Sequence, residues 1–435
     1  MNPDSYFRQF VNLEKTGQFR YARTLRRMKR LCEACDHPER GDFGIIAVAG
    51  SKGKGSTATM IASVLRASGR RVGLYLSPHI EKWNERIRVN GRLITDAEAV
   101  RLIRRWDSVF RGIRVRGEGC TYFECVTALA LIYFKQKRVD TVVLETGLGG
   151  RFDATNVACA DVAVITAIGY EHTAVLGNTL SAIAREKCGI IKAGKQVVAS
   201  PGQPQVQKVL KRSSDAVHAT VHDPRRFMRA DACHSLAAGQ RFVIRDVRGP
   251  CLDVRLGLLG EHQAENALLA VEAARVYGNL RWPPLRPAAI IRGLAHCRLP
   301  GRIERVRWKC PVILDGAHSM ESARALVAAV LRHLRFKRVW LVIGVFRDKK
   351  VRRILNELLK LPVCGVLAAG IDSPRALTPS EFRRRSGRLA PRIKAVRNVA
   401  EALGHIRSNV RAGDLVLVTG SMYLAGEARV YFHEN

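Results

Sequence analysis

No stretch of the sequence reaches the ~20 consecutive apolar residues that a membrane-spanning helix needs. The longest apolar run, Val126 to Phe134, is broken by Thr127 and has the length of a buried helix. The first residues, MNPDSYFRQF, lack the apolar core of a signal peptide. These absences predict a cytoplasmic chain with no membrane partner. A disulfide framework is missing too: eleven cysteines, an odd number, are scattered along the chain, which suits a reducing compartment. Cys32 and Cys35 have the spacing of half a zinc site, but no second Cys-x-x-Cys occurs, so the pair reads as two thiols on or after an N-terminal helix. Acidic residues are scarce, 38 against 73 lysines and arginines, for a net charge of +35. Such a balance favours polyanions. The cations are spread, however, as in RTLRRMKR near the start and RRRSGRLAPRIKAVR near the end, with no aromatic-interleaved strand of the RNA-binding kind. They read as solvated surface, and a nucleic-acid partner is not expected.

Internal repeats and low-complexity tracts are also absent. What is present is a globular composition, 47% hydrophobic and 26% charged, in a 435-residue chain long enough for two or three domains. FGIIAVAG is a short continuous apolar run, as a buried parallel strand should be. It empties into GSKGKGST, and Ser56 then heads a helical pattern carried by Met60, Ile61, Val64 and Leu65 and ended by Gly69. RVGLYLS follows as a strand, which completes a βαβ unit with the glycine loop at a helix N-terminus, where phosphates bind. The usual phosphate-loop spacing is not met, since Gly50 stands three residues before Gly53 and Gly55 separates Lys54 from Ser56. Even so, glycines turn backbone N–H groups toward phosphate oxygens. Lys54 supplies a point charge, and Ser56 offers a hydroxyl to Mg²⁺. Lys52, ahead of the helix, is expected to point outward.

ECVTALALIYFKQ and TLSAIAREKCGII read as further helices, and DTVVLETG and DVAVITAIG as strands. This alternation means an α/β, doubly wound domain, whose ligands gather at the carboxyl ends of strands. Ser77-Pro78-His79, Glu145 with TGLGGRFDATN, and Glu171-His172-Thr173 fall at such ends. Glu145 closes a buried strand, where a carboxylate without a task would be an unwelcome charge, and His172 closes the next. The GLGG after Glu145 lacks the strand-to-helix setting of a dinucleotide fingerprint and is discounted. Residues 200–255 read as strands and loops completing the first domain. GEHQAENALLAVEAARVYG is a helix, and RWPPLRP and LPGRIERV mark a border near residue 300. Beyond it PVILDGAH, RVWLVIGVF, PVCGVLAAG and DLVLVTGS are strands of a smaller α/β domain. The expected division is 1–298 and 299–435.

AGSKGKGST, SPHIEKWNERIRVNG, TYFE, VVLETGLGGRFDATN, GYEHT, AREKCGIIK, GEHQAENA, LPGRIE, LDGAHS and VTGSMYLAGE follow one another along the chain. In this order they resemble the folylpolyglutamate synthases and dihydrofolate synthases of the Mur ligase superfamily, over roughly residues 40 to 430. The resemblance implies a P-loop-containing Mur-ligase-type ATPase domain followed by a glutamate-ligase-type domain. It implies a phosphate loop of the Gly-x-x-Gly-Lys-Gly-Ser form, with Gly50, Gly53, Lys54, Gly55 and Ser56 on ATP. The implied reaction activates a pterin-linked carboxylate (dihydropteroate, a folate or both) as an acyl phosphate and joins it to L-glutamate. Two Mg²⁺ ions are implied, with Ser56, Ser77, Glu145 and His172 as ligands. Lys187 matches a lysine carbamylated in the family; unmodified, its charge would repel the metal. Asn266 is implied for the adenine, Arg302 for the phosphates, Asp315 for the ribose, and His318 for the acyl phosphate or the incoming glutamate. Thr121, Phe123 and Asp153 match positions lining the pteroate pocket. Because these residues come from both domains, the resemblance implies closure over the substrates, and a monomer.

The chain departs from the family pattern at several points. Glu171 replaces an aspartate, Ser51-Lys52 replaces Thr-Asn, Ser319 replaces an asparagine, and Asp348-Lys349-Lys350 replaces Asp-Lys-Asp. Lys52 adds a charge beside the phosphates, whereas Ser319 shortens a side chain where glutamate is expected and bears on amino-acid specificity. Two other readings stay open on the residues alone: a Mur-type ligase for a different acid or amino acid, and a basic P-loop protein that binds RNA.

Overall fold

The segment Gly44–Ala49 (β1) is buried at every position, because a strand flanked on both sides by parallel neighbours and covered on both faces has no room for polar side chains. The computed structural model describes residues 1–12, 25–115, 117–236 and 239–434. By internal packing the chain divides into two units. One comprises Met1–Ala232, Phe242–Arg255 and Gln263–Cys297, and the other Cys233–Arg241, Leu256–His262 and Arg298–Asn435.

In the first unit, helix Arg26–Ala34 (α1) precedes β1, and helix Lys54–Ala67 (α2) leads to Val72–Tyr75 (β2). Ile87–Val89 (β3) and Arg92–Leu93 (β4) form an antiparallel edge that the sequence reading did not separate out, and a short ribbon pairs Arg114–Val115 (β5) with Glu118–Gly119 (β6). Helix Tyr122–Gln136 (α3) is apolar on nearly every face and correspondingly buried. Thr141–Glu145 (β7), Val162–Ile165 (β8), helix Leu180–Cys188 (α4) and Gln196–Ala199 (β9) follow. Then come helix Pro204–Asp215 (α5) and Thr220–His222 (β10). The eight-stranded sheet runs β10-β9-β8-β1-β7-β2-β3-β4. Since β7 lies on one side of β1 and β8 on the other, the loop after β1 opens at the point where strand order reverses, which is where ligands of such sheets bind.

Helix α5 corrects the reading of residues 200–255 as strands and loops. Pro204 starts it at a position where the missing N–H costs nothing, and Val206, Leu210 and Ser214 form a narrow buried stripe on an otherwise polar, basic helix. Met228–Leu236 (β11), Gly239–Asp246 (β12) and Leu252–Leu256 (β13) then make a three-stranded sheet, followed by helix Glu261–Arg281 (α6).

The second unit has a six-stranded sheet. Its strands are Glu304–Val306 (β14), Val312–Leu314 (β15), Arg338–Ile343 (β16), Val363–Ala369 (β17), Ile393–Val396 (β18) and Asp414–Thr419 (β19), in the order β14-β15-β19-β16-β17-β18. All pairings are parallel except β14 with β15. Helix Met320–His333 (α7) follows β15, with Ala323, Leu326, Val327 and Val330 buried. The two edge strands β14 and β18 were not legible as strands.

Cys32 lies in α1 and Cys35 caps it, both buried, as two structural thiols. Burial pushes the Cys35 thiol up to about 12, the environment of an inert sulfur. Of the first basic stretch, Arg23 and Thr24 lie outside the described residues. In the second, Arg383, Arg384, Arg385, Arg388, Arg392, Lys394 and Arg397 are all exposed. Among the described residues no helix is long and apolar enough to cross a membrane.

Candidate active site

Register sets the stage. Val48 pairs with Glu145, Ala49 with Ile165, and Tyr75 with Leu144, so the loops after β1, β2, β7 and β8 leave the sheet at one edge. Gly53 turns the first of these loops with φ +84°, a conformation that favours glycine, and a Cβ there would collide with the Asn266 amide. Helix α2 therefore starts at Lys54, two residues before the Ser56 expected from the sequence, and Lys54 and Gly55 belong to its first turn. Asn266, more than two hundred residues away, sits against the loop, with its side-chain N–H₂ donating to Gln263 Oε1 at 3.0 Å.

Glu145 is 5% exposed. Its Oε2 accepts the Ser77 backbone N–H at 2.9 Å, and its carboxylate approaches to 3.3 Å of where a Cβ on Gly55 would stand. Phosphate loop, β2 loop and Glu145 thus meet at one place. The chain beyond Glu145 is shaped by Asp153, whose oxygens accept N–H groups of Gly147, Leu148 and Thr155 and the Thr155 hydroxyl at 2.6–3.0 Å. Burial pushes this carboxyl above the usual carboxylate range, while those four donors pull the other way. Asp153 is therefore committed to holding the loop. Phe123 lays its ring against Gly147, and Thr121 caps α3 by accepting the Glu124 N–H at 3.3 Å.

Lys187, on α4, is 2% exposed and donates to the Gly50 carbonyl at 2.7 Å. Burial, followed by the charge of Lys54, pulls its pKa down to about 7. The helix that carries it packs directly on the loop after β7: Arg151 N–H donates to the Glu186 carbonyl at 2.8 Å. Asn156, which sequence reasoning passed over, donates to both Arg151 O and Gly189 O at 2.8 and 3.1 Å, and Lys192 donates to its Oδ1 at 2.8 Å. A Cβ on Gly150 would stand 2.8 Å from the Glu186 and Lys187 carbonyl oxygens. Gly150→Ala is accordingly expected to destabilise the fold by about 1–3 kcal/mol, because backbone must give way; a lowered midpoint in denaturant unfolding checks it.

Lys52, expected to point outward, keeps its side chain 34% exposed while its Nζ lies 3.8 Å from Glu171 Oε1 of the loop after β8, and the same oxygen lies 3.6 Å from His172 Nε2. Thr166, a second residue that sequence reasoning missed, donates its hydroxyl to the Lys52 carbonyl at 2.7 Å. The available signal was its position one residue past β8, level with the start of the phosphate loop.

In the second unit, Arg302, Asp315 and His318 cluster where β15 ends. Asp315 is buried and accepts the N–H groups of Ile303 and Ala317 at 2.9 and 2.8 Å. Burial raises its pKa, and the Arg302 charge opposes the rise. Ile303 holds φ +49°, a strained value for a β-branched residue, in donating to Asp315. Arg302 lies beside Gly316. His318 Nδ1 meets the Gly316 carbonyl at 2.8 Å; since a carbonyl only accepts, Nδ1 carries the proton. Ser319 is the N-cap of α7 and exchanges hydrogen bonds with Ser322, a capping role that serine fills well. Asp348 pairs with Lys349 at 2.8 Å, and Lys350 is exposed.

Among the described residues no three His, Cys, Asp or Glu side chains form a metal-binding group. The Ser56, Ser77 and Glu145 set is different in kind: two hydroxyls and one carboxylate are hard oxygen donors. It fits Mg²⁺, which takes one or two carboxylates, keeps several waters, and borrows oxygens from phosphates.

Compared with known proteins, residues 48–274 match the Mur ligase middle domain and residues 301–422 the Mur ligase glutamate ligase domain. The dihydrofolate synthase/folylpolyglutamate synthase of Bacillus subtilis is 34% identical over 416 residues, covering 93% of this chain and 94% of that one. The crystal structure of Mycobacterium tuberculosis folylpolyglutamate synthase complexed with ADP and AMPPCP superposes with a TM-score of 0.87 at 31% identity, covering 95% and 96% of the two chains. An Escherichia coli structure in complex with DHPP and ADP gives a TM-score of 0.84 at 29% identity over 100% and 98%.

Proposed function

The chain belongs to the Mur ligase family, in its dihydrofolate synthase/folylpolyglutamate synthase branch, and from that premise we propose how its residues carry out ATP-dependent addition of L-glutamate to a pterin acid. The observation that carries the reading is the junction at Glu145. This carboxylate lies over Gly55 of the phosphate loop, 3.3 Å from where a Cβ there would stand, and on its other side the chain continues into the Gly147–Asp153 loop, with Phe123 against it. A nucleotide's terminal phosphate and a flat aromatic acid would then be neighbours.

Chemically, the pterin acid's carboxylate attacks the γ-phosphorus, ADP leaves, and the acyl phosphate is attacked by the glutamate amine, releasing phosphate as the amide forms. Two anions must meet in the first step. Lys54 and the backbone N–H groups of the loop offset their repulsion from one side. When bound at Ser56, Ser77 and Glu145, Mg²⁺ supplies further neutralisation of the phosphoryl oxygens. His172, together with Glu145, is assigned to a second ion. Phe123 offers the pterin an aromatic face, Thr121 stands at the same end of α3, and Asp153 shapes the loop. Asn266, against Gly53, is assigned to the adenine, Arg302 to the phosphates and Asp315 to the ribose. His318, whose Nδ1 donates to the Gly316 carbonyl, is assigned to the acyl phosphate or the incoming glutamate. Lys187 is assigned as the carbamate: its amine, with a pKa near 7, is neutral often enough to react with CO₂. ATP and small-molecule acids are thus the partners proposed, in the cytoplasm, with a monomer sufficient.

Phosphate release from Mg·ATP tests this. Release requiring both L-glutamate and dihydropteroate is expected for the synthase reaction, and release requiring L-glutamate and tetrahydrofolate for chain extension. A folded, ATP-binding protein that responds to neither acid would overturn the folate reading and leave a ligase of another acid.

A further inference from the structure

The cations that the sequence shows as spread along the chain are concentrated at one place in the second unit. Residues 347–397 hold fourteen lysines and arginines against four acidic residues, a net +10 in 51 residues, where the whole chain carries +35 in 435. Three of those four carboxylates are already paired: Asp348 with Lys349, Glu357 with Arg324 and Lys360, and Glu381 with Arg347.

The fold draws these residues onto one surface. Helix Val351–Leu358 follows β16, and helix Pro379–Arg385 leads through a 3₁₀ segment, Gly387–Arg392, to the edge strand β18. Arginines tie the pieces together through backbone carbonyls. Arg385 donates to Arg347 O at 2.7 Å, Arg383 to Ala390 O at 3.1 Å and Arg352 to Arg385 O at 3.3 Å. Gly387 takes φ +62°, and a Cβ there would stand 2.7 Å from the Arg352 guanidinium. A carbonyl orients a guanidinium without cancelling its charge. Arg352, Arg353, Arg384, Arg385, Arg388 and Arg392 are exposed, and none of them forms an ion pair among the described residues. Crowded like charges repel, so the surface gains most from a partner that brings several anions at fixed spacing.

The chemistry of the patch narrows that partner. Ten of its fourteen cations are arginines, whose planar fork matches phosphate oxygens in pairs. Its one aromatic residue, Phe382, is buried, so it offers no ring for the base stacking on which single-strand binders rely. None of its large apolar side chains is exposed, as seating in a lipid surface requires.

We propose that this face of the second unit docks a double-stranded nucleic acid through its phosphodiester backbone, without reading sequence. Phosphate contacts fix a protein on a duplex and carry no sequence information. The inference is independent of the ligase reading.

Fluorescence anisotropy of a labelled duplex of about 20 base pairs, titrated with the full chain between about 50 and 200 mM salt, tests it. Binding should fall steeply with salt, by a log–log slope of about 0.9 per phosphate contact. The side chains of Arg353, Arg384, Arg388 and Arg392 make no hydrogen bond among the described residues, so their removal spares the fold. Arg353→Gln, Arg384→Gln, Arg388→Gln and Arg392→Gln combined should weaken binding at least about tenfold at ~100 mM salt and flatten the slope by about 2–4. Arg101→Gln, Arg104→Gln, Lys208→Gln and Arg212→Gln combined remove as many exposed cations from the first unit and should weaken it no more than about threefold. Thermal midpoint and phosphate release from Mg·ATP should match wild type in both variants. An equal loss from the two variants, or none, overturns the proposal, because the charge then acts as a diffuse cloud. A wild-type chain that prefers vesicles of anionic phospholipid to the duplex, or binds neither, overturns it as well.

Discussion

Lys54→Ala is expected to lower turnover by about a hundred- to a thousandfold while leaving the fold intact. A lysine ammonium ~4 Å from a phosphoryl oxygen, at the effective dielectric of ~20 that suits protein sites, interacts by about 4 kcal/mol. Part of that is already made with bound ATP, so only the remainder, realised as charge shifts during transfer, appears in kcat. The structural side of the change is mild. Lys54 opens helix α2 at a half-buried position and alanine is the best helix former, so stability should change by less than about 0.5 kcal/mol. Arginine should not restore activity, because its broad planar fork replaces a compact point charge. The check is phosphate release alongside thermal midpoint. A folded Lys54→Ala protein turning over within about threefold of wild type would remove the loop from the mechanism, since a general-purpose surface lysine is worth no more than that.

Much of the first unit was readable because its signals are local. FGIIAVAG, the glycine loop and the helix behind it lie within 25 residues, and each announces itself by burial, φ requirement or periodicity. That Glu145, Ser77 and the β8 loop lie at one edge also follows from strand endings, since parallel strands in register deliver their loops together. What stayed hidden depends on distance or on side-chain direction. The seat of Asn266 on Gly53 joins two segments that no periodicity links. The packing of Gly150 and Arg151 on α4 is visible only as missing space for a Cβ and one long-range hydrogen bond. The nearness of Lys52 Nζ to Glu171, over a hundred residues on, was likewise hidden, although the side chain stays partly exposed as its place ahead of the helix suggests. Helix α5 was missed because its buried stripe is three residues wide in a polar, basic segment. Ser319 carried a specificity argument in the sequence, but in the structure its hydroxyl is engaged in capping α7.

Lys187 carries the second large expectation. At pH 7.5 an ordinary lysine, with a pKa of ~10.4, is neutral in about one molecule in a thousand. Lys187, at about 7, is mostly neutral there, and only the neutral amine can add to CO₂, losing a proton to give the carbamate anion. Lys187→Met should therefore cut turnover at least about a hundredfold, as for loss of a group that stabilises charge in the reaction. Added bicarbonate should raise wild-type activity in CO₂-depleted buffer above pH 7 and do little below pH 6, where the amine is protonated. The pKa itself can be checked without catalysis. In CO₂-free buffer, between pH 7 and 10 the unfolded chain binds a proton at this lysine that the native chain does not. Wild-type stability should therefore rise with pH across that window by up to about 1.4 kcal/mol per unit from this residue, a slope that Lys187→Met lacks. If both proteins show the same slope, the amine is not depressed, and the chemical argument for carbamylation fails. If the slope appears but bicarbonate changes nothing and Lys187→Met stays active, the buried neutral amine serves only to hold Gly50 through its 2.7 Å hydrogen bond.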